Sequence, residues 1–184
     1  MFHVYEFQDY KKVNERAEET RVHKMNAFSF LIADRSCLDD ILLIERYSFY
    51  PELYKSPRYY KRQISFKRLR LCVVDGEVVG YLCFQPHKQY VSISDLATKI
   101  GYRQKGVAFY LINSLLKELQ NSYSKVKTIR LMVAADNDVA QSLYRKFYFI
   151  PKAVRKQYYG MHDGILMEKI VTNCSFYNRI VTKH

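Results

Sequence analysis

The chain has 184 residues, with 30 lysine and arginine residues against 18 acidic ones, which gives a formal net charge of +12. Hydrophobic residues make up 48% of the chain, which excludes a disordered protein and fits one globular domain. The charge favours anionic partners, such as a phosphorylated cofactor, RNA, the ribosome surface or acidic lipid, and does not choose among them. Because the chain has no zinc-finger or RNP motif, we expect no specific nucleic-acid binding.

Cysteine usage and hydropathy bear on the compartment. The four cysteines, Cys37, Cys72, Cys83 and Cys174, form no CxxC pair and have no histidine at metal-ligand spacing. We therefore expect reduced thiols, mostly in the core, and no metal site. The N-terminal residues contain no apolar leader, and no apolar run reaches the ~18 residues that a membrane span needs. We expect a cytoplasmic protein that does not enter a membrane.

The first third of the chain predicts a polar segment, a strand and two helices. Residues 1–26 are polar and charged, which is compatible with a weakly amphipathic helix or with a mobile arm. Residues 27–34 (AFSFLIAD) predict a strand, and residues 36–49 predict a helix with Ser36 as its N-cap. Residues 50–60 form a loop with two prolines that leads into a short helix.

The middle of the chain predicts a β-hairpin followed by another strand. Two β-rich runs within residues 69–86 flank Asp75-Gly76, a dipeptide suited to the positive φ angles of a two-residue turn. Residues 89–100 predict the next strand. A helix follows with an apolar stripe that consists of Ala108, Leu111, Ile112, Leu115 and Leu119.

The last third alternates strand and helix. Residues 127–135 predict a strand, and residues 137–147 predict a helix with Asn137 as its N-cap. Residues 164–171 predict the last strand, and the pattern of residues 172–184 is uncertain. The order of elements is strand, helix, helix, three strands, helix, strand, helix and strand. It indicates one mixed α/β domain, residues 27–171, around a partly antiparallel sheet.

A basic turn between a strand and a helix, RQKGVA, is a candidate anion site. Gly106 lets the backbone approach a ligand closely, and Arg103 and Lys105 add positive charge. The first turn of the following helix has backbone N–H groups without helical partners, which suits a pyrophosphate. The turn is neither a P-loop nor a Rossmann fingerprint. The same sequence is equally compatible with an ordinary strand-to-helix turn whose basic residues are solvated.

Three segments in order resemble one family. RQKGVA resembles the Q/R-x-x-G-x-G/A turn with which the GCN5-related N-acetyltransferases (GNAT) hold acetyl-CoA, and VAADNDVAQSLYRKFYF resembles their next signature. VRKQYYGMHDGILMEKIV resembles the following segment in the N-terminal protein acetyltransferases, including those that acetylate a ribosomal-protein alanine. The resemblance covers about residues 28–171. It implies a GNAT fold, in which helices flank a mixed, mostly antiparallel central sheet.

The resemblance also implies an acetyl-CoA site without a metal. Strand backbone would face the pantetheine arm, the basic turn would hold the pyrophosphate, and the helix after the next strand would complete the site. The implied cofactor-binding residues are Leu96, Ala97, Thr98, Arg103, Gln104, Lys105, Gly106, Val107, Ala108, Asn137, Tyr144 and Lys146. Tyr144 would also protonate the departing thiolate as general acid. From its helical spacing alone, a core aromatic residue is the favoured interpretation of Tyr144.

The sequence leaves open which residue acts as the general base. Related enzymes have Glu or His five residues before the Asn of the second signature, where this chain has Met132, which cannot accept a proton. The resemblance offers Tyr102, which would relay a proton through water, or Glu52, a loop glutamate beside the substrate amine. A packing tyrosine and a solvated loop charge are the plain alternatives for these two residues.

The resemblance and the chemistry favour a protein N-terminus as substrate. In the family, the two loops that carry tyrosines here flank the slot for the peptide; the implied substrate-binding residues are Tyr50, Pro51, Tyr54, Tyr158 and Tyr159. An α-amine has a pKa of about 7.7–8.0 and a lysine amine about 10.4, so a site without the usual strand base deprotonates an α-amine more easily.

Three other possibilities stay open for function and partners. One is acetylation of lysine or of a small amine such as a polyamine, and the second is a non-catalytic module that binds acetyl-CoA. The third concerns partners, because the positive charge also fits association with the ribosome or with an auxiliary subunit.

Overall fold

The computed structural model describes residues 28–122 and 126–171. Its elements are β1 Ser29–Ile32, α1 Leu38–Arg46, α2 Pro57–Ser65, β2 Leu69–Val74, β3 Glu77–Pro86, β4 Tyr90–Thr98, α3 Val107–Ser122, β5 Thr128–Ala134, α4 Asp138–Lys146, β6 Ile150–Tyr159 and β7 His162–Ile170. The segment 1–26 and the tail 172–184, for which the sequence left the structure open, lie outside the described residues. No helix in the described ranges is long and apolar enough to cross a membrane.

In the described residues the strands form one sheet in the order β1-β2-β3-β4-β5-β7-β6. Every neighbouring pair is antiparallel except β4 and β5, which run parallel and are joined through α3. A parallel pair needs such a crossover because the chain must return to the end of the sheet at which the first strand began. The mixed, mostly antiparallel sheet with flanking helices that the sequence predicted is therefore present.

Helices cover both faces of the sheet. On one face, Leu111 and Ile112 of α3 and Phe147 of α4 pack in a core with inward-facing strand residues. On the other face, Ile41 of α1 and Tyr60 of α2 pack in a second core. The apolar stripe predicted for α3 is buried from Leu111 onward, since Leu111, Ile112, Leu115 and Leu119 are at most 2% exposed.

A bulge in β4 decides which side chains reach which face. Cys83 pairs with Asp95 and Phe84 pairs with Ile93, so Ser94 is the extra residue. The extra residue reverses the alternation of side chains. Ile93 therefore packs in the core under α3 and α4, whereas Ala97 packs in the core under α1 and α2. Without the bulge both would lie on one face.

The parallel pair β4–β5 separates beyond this bulge. Pairing ends at Ile93 and Leu131, although β4 continues to Thr98 and β5 to Ala134. We call the gap between residues 94–98 of β4 and residues 132–134 of β5 the wedge. Both strands keep their outer partners, β3 and β7, and each turns toward the wedge a backbone edge that has no strand partner. On β5 the Met132 oxygen accepts the Tyr159 hydroxyl and the Ala134 oxygen accepts the Asn137 N–H instead. The edge of β4 can hydrogen-bond to an extended ligand.

Several local predictions hold and others are corrected. Asp75 and Gly76 have φ angles of 50° and 81°, which confirms the hairpin turn. The predicted cap Ser36 is wrong, because α1 begins at Leu38 and Asp34 caps the preceding 3₁₀ turn by accepting the Ser36 N–H at 2.8 Å. The sequence prediction missed β6, which is exposed along nearly its whole length and so lacks a clear apolar alternation.

Candidate active site

The wedge is open to solvent at the bulge. Ser94 is exposed although it lies on a central strand, and the next residue, Asp95, is 7% exposed. Across the wedge, the side chain of Met132 lies on the same face of the sheet as Gly164, its diagonal neighbour on β7. Asp95 and Ala97 beside the wedge lie on the face of the sheet that α1 and α2 cover.

The basic turn at the end of β4 presents backbone donors. Gln104 and Gly106 have φ angles of 60° and 88°, a conformation that glycine adopts without strain. Within the described ranges, the backbone N–H groups of Gln104, Lys105 and Gly106 have no hydrogen-bond acceptor. The first N–H groups of α3, which begins at Val107, point the same way along the helix axis. The turn can therefore bind an anion through its backbone.

The two basic side chains of this turn make contacts within the protein. Arg103 donates to the backbone oxygens of Tyr47 at 2.5 Å and Thr98 at 3.3 Å. These bonds fasten the turn to the end of α1, so the guanidinium has a structural task in addition to its charge. The Lys105 ammonium lies 5.2 Å from the centre of the Tyr102 ring, within cation–π distance.

Tyr144 of α4 lies in the core under α3 and α4. It is 7% exposed and its ring lies 5.9 Å from that of Phe149. No described residue hydrogen-bonds to its hydroxyl, which leaves that group available. Burial raises the pKa of Tyr144 to about 12, so the hydroxyl keeps its proton at neutral pH.

The other two residues predicted on α4 occupy its ends. Asn137 is the N-cap, as predicted, and its side chain accepts the Ala140 N–H at 3.0 Å. Lys146 is exposed in the last turn of the helix. The cap fixes the start of the helix that carries Tyr144.

Tyr158 and Tyr159 of β6 face the wedge from the other side. The Tyr159 hydroxyl donates to the backbone oxygen of Met132 at 2.9 Å, and the two tyrosine rings lie 4.8 Å apart. The pKa of Tyr159 is raised, first by burial and then by the negative potential of Tyr158, Tyr144 and Asp95. The Tyr159 hydroxyl therefore keeps its proton at neutral pH and acts as a hydrogen-bond donor to β5.

The loop between α1 and α2 meets the β6–β7 hairpin. The Tyr50 ring stacks on His162 at 5.4 Å, and His162 Nδ1 lies 2.7 Å from the carboxylate of Asp136. Tyr54 donates to the backbone oxygen of Arg46 at 2.7 Å, which holds the loop against α1. The structure thus brings the two tyrosine-bearing loops together beside the wedge. Their side chains form walls that can enclose a peptide.

The two residues predicted as bases, and the neighbouring Pro51, form no hydrogen bond with the wedge residues in the described part of the chain. Pro51 and Glu52 are exposed on a short 3₁₀ turn. Tyr102 donates to Glu77 Oε2 at 2.6 Å, beside the β2–β3 turn. The bulge lies opposite Cys83 and Phe84 of β3, so Glu77 lies about six to seven strand residues from it, roughly 20 Å at ~3.3 Å per residue. This position disfavours Tyr102 as the base.

The structure reveals an acidic group that the sequence prediction missed. Asp95 Oδ2 accepts the Tyr59 hydroxyl at 2.9 Å, and the same hydroxyl lies 3.3 Å from Ser94 Oγ. Burial raises the pKa of Asp95. Glu45 of α1 is also buried, with a raised pKa, and accepts the Lys55 N–H at 2.7 Å. A carboxylate within a strand that has no other charged residue (VSISDLA) was the available signal for this group.

The structure also explains why β7 has a glycine at position 164. A Cβ on Gly164 would lie 2.7 Å from Met132 Cε and 2.8 Å from Tyr158 Cβ. Such distances require a neighbour to move, so glycine here lets Tyr158 cross over β7. This crossing places Tyr158 at the wall of the wedge.

Comparison with known proteins identifies the fold. Residues 38–149 match the model of the Acetyltransferase (GNAT) family. The chain belongs to this family. The wedge, the basic turn and Tyr144 are therefore features of a GNAT domain, and the predicted fold class and enzyme family are confirmed.

Individual relatives are more distant. An N-alpha-acetyltransferase of Saccharolobus solfataricus is 32% identical over 112 residues, which cover 54% of this chain and 66% of the relative. A ribosomal protein bS18-alanine N-acetyltransferase of Haemophilus ducreyi is 29% identical over 87 residues, 47% of this chain and 59% of the relative. The crystal structure of Ard1 from Thermoplasma volcanium superposes with a TM-score of 0.71 at 21% identity, covering 79% and 99% of the two chains. The matched regions thus span about two thirds or less of these curated relatives.

Proposed function

We propose that this GNAT protein transfers an acetyl group from acetyl-CoA to the α-amine of protein N-termini. The observation that carries the proposal is the wedge, whose two strands separate beyond Ile93 and Leu131, with Tyr144 in the core under α3 and α4 and the tyrosine-bearing loops beside the opening. The names of the two relatives described above support it, since one is an N-alpha-acetyltransferase and the other a ribosomal protein bS18-alanine N-acetyltransferase.

The residues present fit acetyl-CoA, which would supply the activated thioester carbonyl. The free N–H groups of Gln104, Lys105 and Gly106, with the start of α3, would bind its pyrophosphate. The unpaired edge of residues 94–98 would hydrogen-bond to the pantetheine arm. This assigns the predicted residues Leu96, Ala97 and Thr98 a role through their backbone. Ala97 itself is buried in the core under α1 and α2.

Tyr144 would donate a proton to the departing sulfur. The neutral α-amine attacks the acetyl carbon directly in a ternary complex, a C–N bond forms and the C–S bond breaks. The leaving thiolate requires a hydrogen-bond donor or a proton. A buried hydroxyl with a pKa of about 12 and no partner among the described residues stays protonated and is free to supply it.

Asp95 is the proton acceptor that the geometry favours over Tyr102. It lies at the bulge, bonded to Tyr59, and Ser94 beside it is exposed to solvent. Burial raises the pKa of Asp95, so it is a stronger base than a solvated aspartate. A water held by Ser94 and Tyr59 would carry the proton from the amine to the carboxylate. Glu52, exposed on the neighbouring loop, stays the alternative from the sequence.

Two matched peptides test this function. One has a free α-amine and no lysine, and the other has a blocked N-terminus and one lysine. Each is incubated with acetyl-CoA and the protein, and the products are mapped by mass spectrometry. We expect acetylation of the free α-amine only. Acetylation of the lysine alone would refute the proposal in favour of a lysine or small-amine acetyltransferase. Cofactor binding without transfer would indicate a non-catalytic module.

A further inference from the structure

A cavity of about 390 Å³ lies beside α2, next to the acetyl-transfer site. Three arginines line it, Arg58 and Arg62 of α2 and Arg68 just before β2. In the described part of the chain none of the three forms a salt bridge with a carboxylate, whereas Arg70 nearby pairs with Glu118. Three unpaired cations around one cavity attract an anion.

Packing holds two of these arginines together despite their like charge. The guanidinium carbons of Arg62 and Arg68 lie 5.5 Å and 4.7 Å from the centre of the same Phe66 ring. The backbone of Arg68 is fixed as well, because its N–H donates to the Gln63 backbone oxygen at 3.0 Å and its oxygen accepts the Phe84 N–H at 3.0 Å. The positive cluster is therefore built into the fold.

A buried acceptor without a partner belongs to a residue that lines this cavity. Gln63 is 4% exposed and lines the cavity, and its Oε1 atom has no hydrogen-bond donor among the described residues. An unsatisfied buried oxygen is costly, on the order of 1–3 kcal/mol, unless a ligand supplies a donor. A ligand that combines an anionic group with an N–H or O–H donor would therefore complement this cavity. A peptide with an acidic side chain offers both.

The cavity connects to the site of transfer through one side chain. Tyr59 lines the cavity, and its hydroxyl reaches Asp95 and Ser94 at the β4 bulge. One tyrosine side chain with its hydrogen bond spans roughly 10 Å, which an extended peptide covers in about three residues. A peptide with its α-amine at the bulge can therefore place its second to fourth residue at the arginines.

We propose that this arginine cavity selects protein N-termini with a glutamate or aspartate among their second to fourth residues. The inference rests on the proposed function and adds a substrate class to it. The side-chain carboxylate would bind the three arginines, and a peptide N–H would donate to Gln63 Oε1. Charge-assisted hydrogen bonds of this kind strengthen binding before chemistry, so the effect falls on KM.

The test compares peptides that differ only by Glu or Gln at positions two to four. For the wild-type protein we expect a KM roughly tenfold lower for the Glu peptides, in line with one charge-assisted bond. The Arg62→Gln/Arg68→Gln variant should reduce this preference to within about twofold at unchanged kcat. Lys61→Gln is the matched control, since it removes one charge from the same helix outside the cavity, and it should keep the preference.

Each other outcome is informative. Acetylation with no preference for Glu in the wild type would overturn the inference and leave the proposed function intact. If no peptide is acetylated, the proposed function fails, and fluorescence anisotropy of the same labelled peptides with CoA present still measures the preference. Equal affinity for Glu and Gln peptides there would overturn the inference. The inference would also be overturned if the Arg62→Gln/Arg68→Gln variant lost affinity for single-stranded RNA but kept the wild-type preference for Glu peptides.

Discussion

Tyr144→Phe removes one hydroxyl from the proposed site and should separate activity from stability. No described residue bonds to this hydroxyl, so its removal leaves no protein group unsatisfied, and the ring still packs against Phe149. We expect the free energy of unfolding to change by about 0.5 kcal/mol or less. A lost general acid lowers the rate about 10² to 10⁴-fold, and the lower bound corresponds to about 2.7 kcal/mol at 1.36 kcal/mol per tenfold.

The assay for this prediction is release of CoA thiol in the presence of a peptide with a free α-amine, with peptide acetylation confirmed by mass spectrometry. The melting temperature of each variant is measured alongside. Because the pKa of Tyr144 is about 12, the wild-type rate should show no alkaline decline from this group below about pH 10. A Tyr144→Phe variant that keeps more than half of the wild-type kcat would refute the assignment. A loss explained by unfolding would appear in the melting temperature.

Three further changes test other parts of the site. Asp95→Asn should lower kcat/KM about 100-fold. It should not lower the melting temperature at pH 7, because the raised pKa of Asp95 means that its buried, ionised carboxylate is unfavourable at that pH. Glu52→Gln should change the rate less than threefold. Gly164→Val should displace Tyr158, cost about 1–3 kcal/mol of stability and raise KM for peptide more than KM for acetyl-CoA. Glu168→Gln removes an ion pair with an arginine of β5 that lowers the pKa of Glu168, so it should cost up to about 1 kcal/mol at pH 7.

The contradicting results differ among these variants. A larger loss for Glu52→Gln than for Asp95→Asn would transfer the role of base to the loop glutamate. A Gly164→Val protein with unchanged peptide KM would show that Tyr158 does not contact substrate. The stabilisation by Glu168 is present above its unfolded pKa near 4.5 and is lost as the pH falls through its lowered folded value. Urea titrations that show the same loss at pH 3 as at pH 7 would contradict this pair.

Local chemistry made part of the fold predictable. The Asp75-Gly76 turn, the N-cap Asn137 and the stripe of α3 each depend on neighbouring residues, so their patterns are visible in the sequence. The motif around Gly106 identified the family, which residues 38–149 confirm. These features depend on dihedral angles and periodicity within a few residues.

The parts that depend on long-range pairing were not predictable in the same way. The edge strand β6 is exposed, so no apolar period distinguishes it from a loop. The role of Asp95 depends on the bulge at Ser94, which turns its side chain toward Tyr59, 36 residues earlier in the chain. Tyr102 is adjacent in sequence to the basic turn, yet its hydroxyl bonds to Glu77 of another strand. Adjacency in the chain therefore did not predict the partner of its hydroxyl.

The most direct test of the account is a crystal structure with a peptide joined through its α-amine to CoA. We expect the pantetheine arm in the wedge along residues 94–98, the pyrophosphate on the N–H groups of residues 104–106, and the sulfur within hydrogen-bond distance of the Tyr144 hydroxyl. The peptide should emerge between Tyr50 and Tyr158, with Asp95 within one water of its amine. A sulfur distant from Tyr144, or a peptide that leaves by another route, would contradict the proposed site.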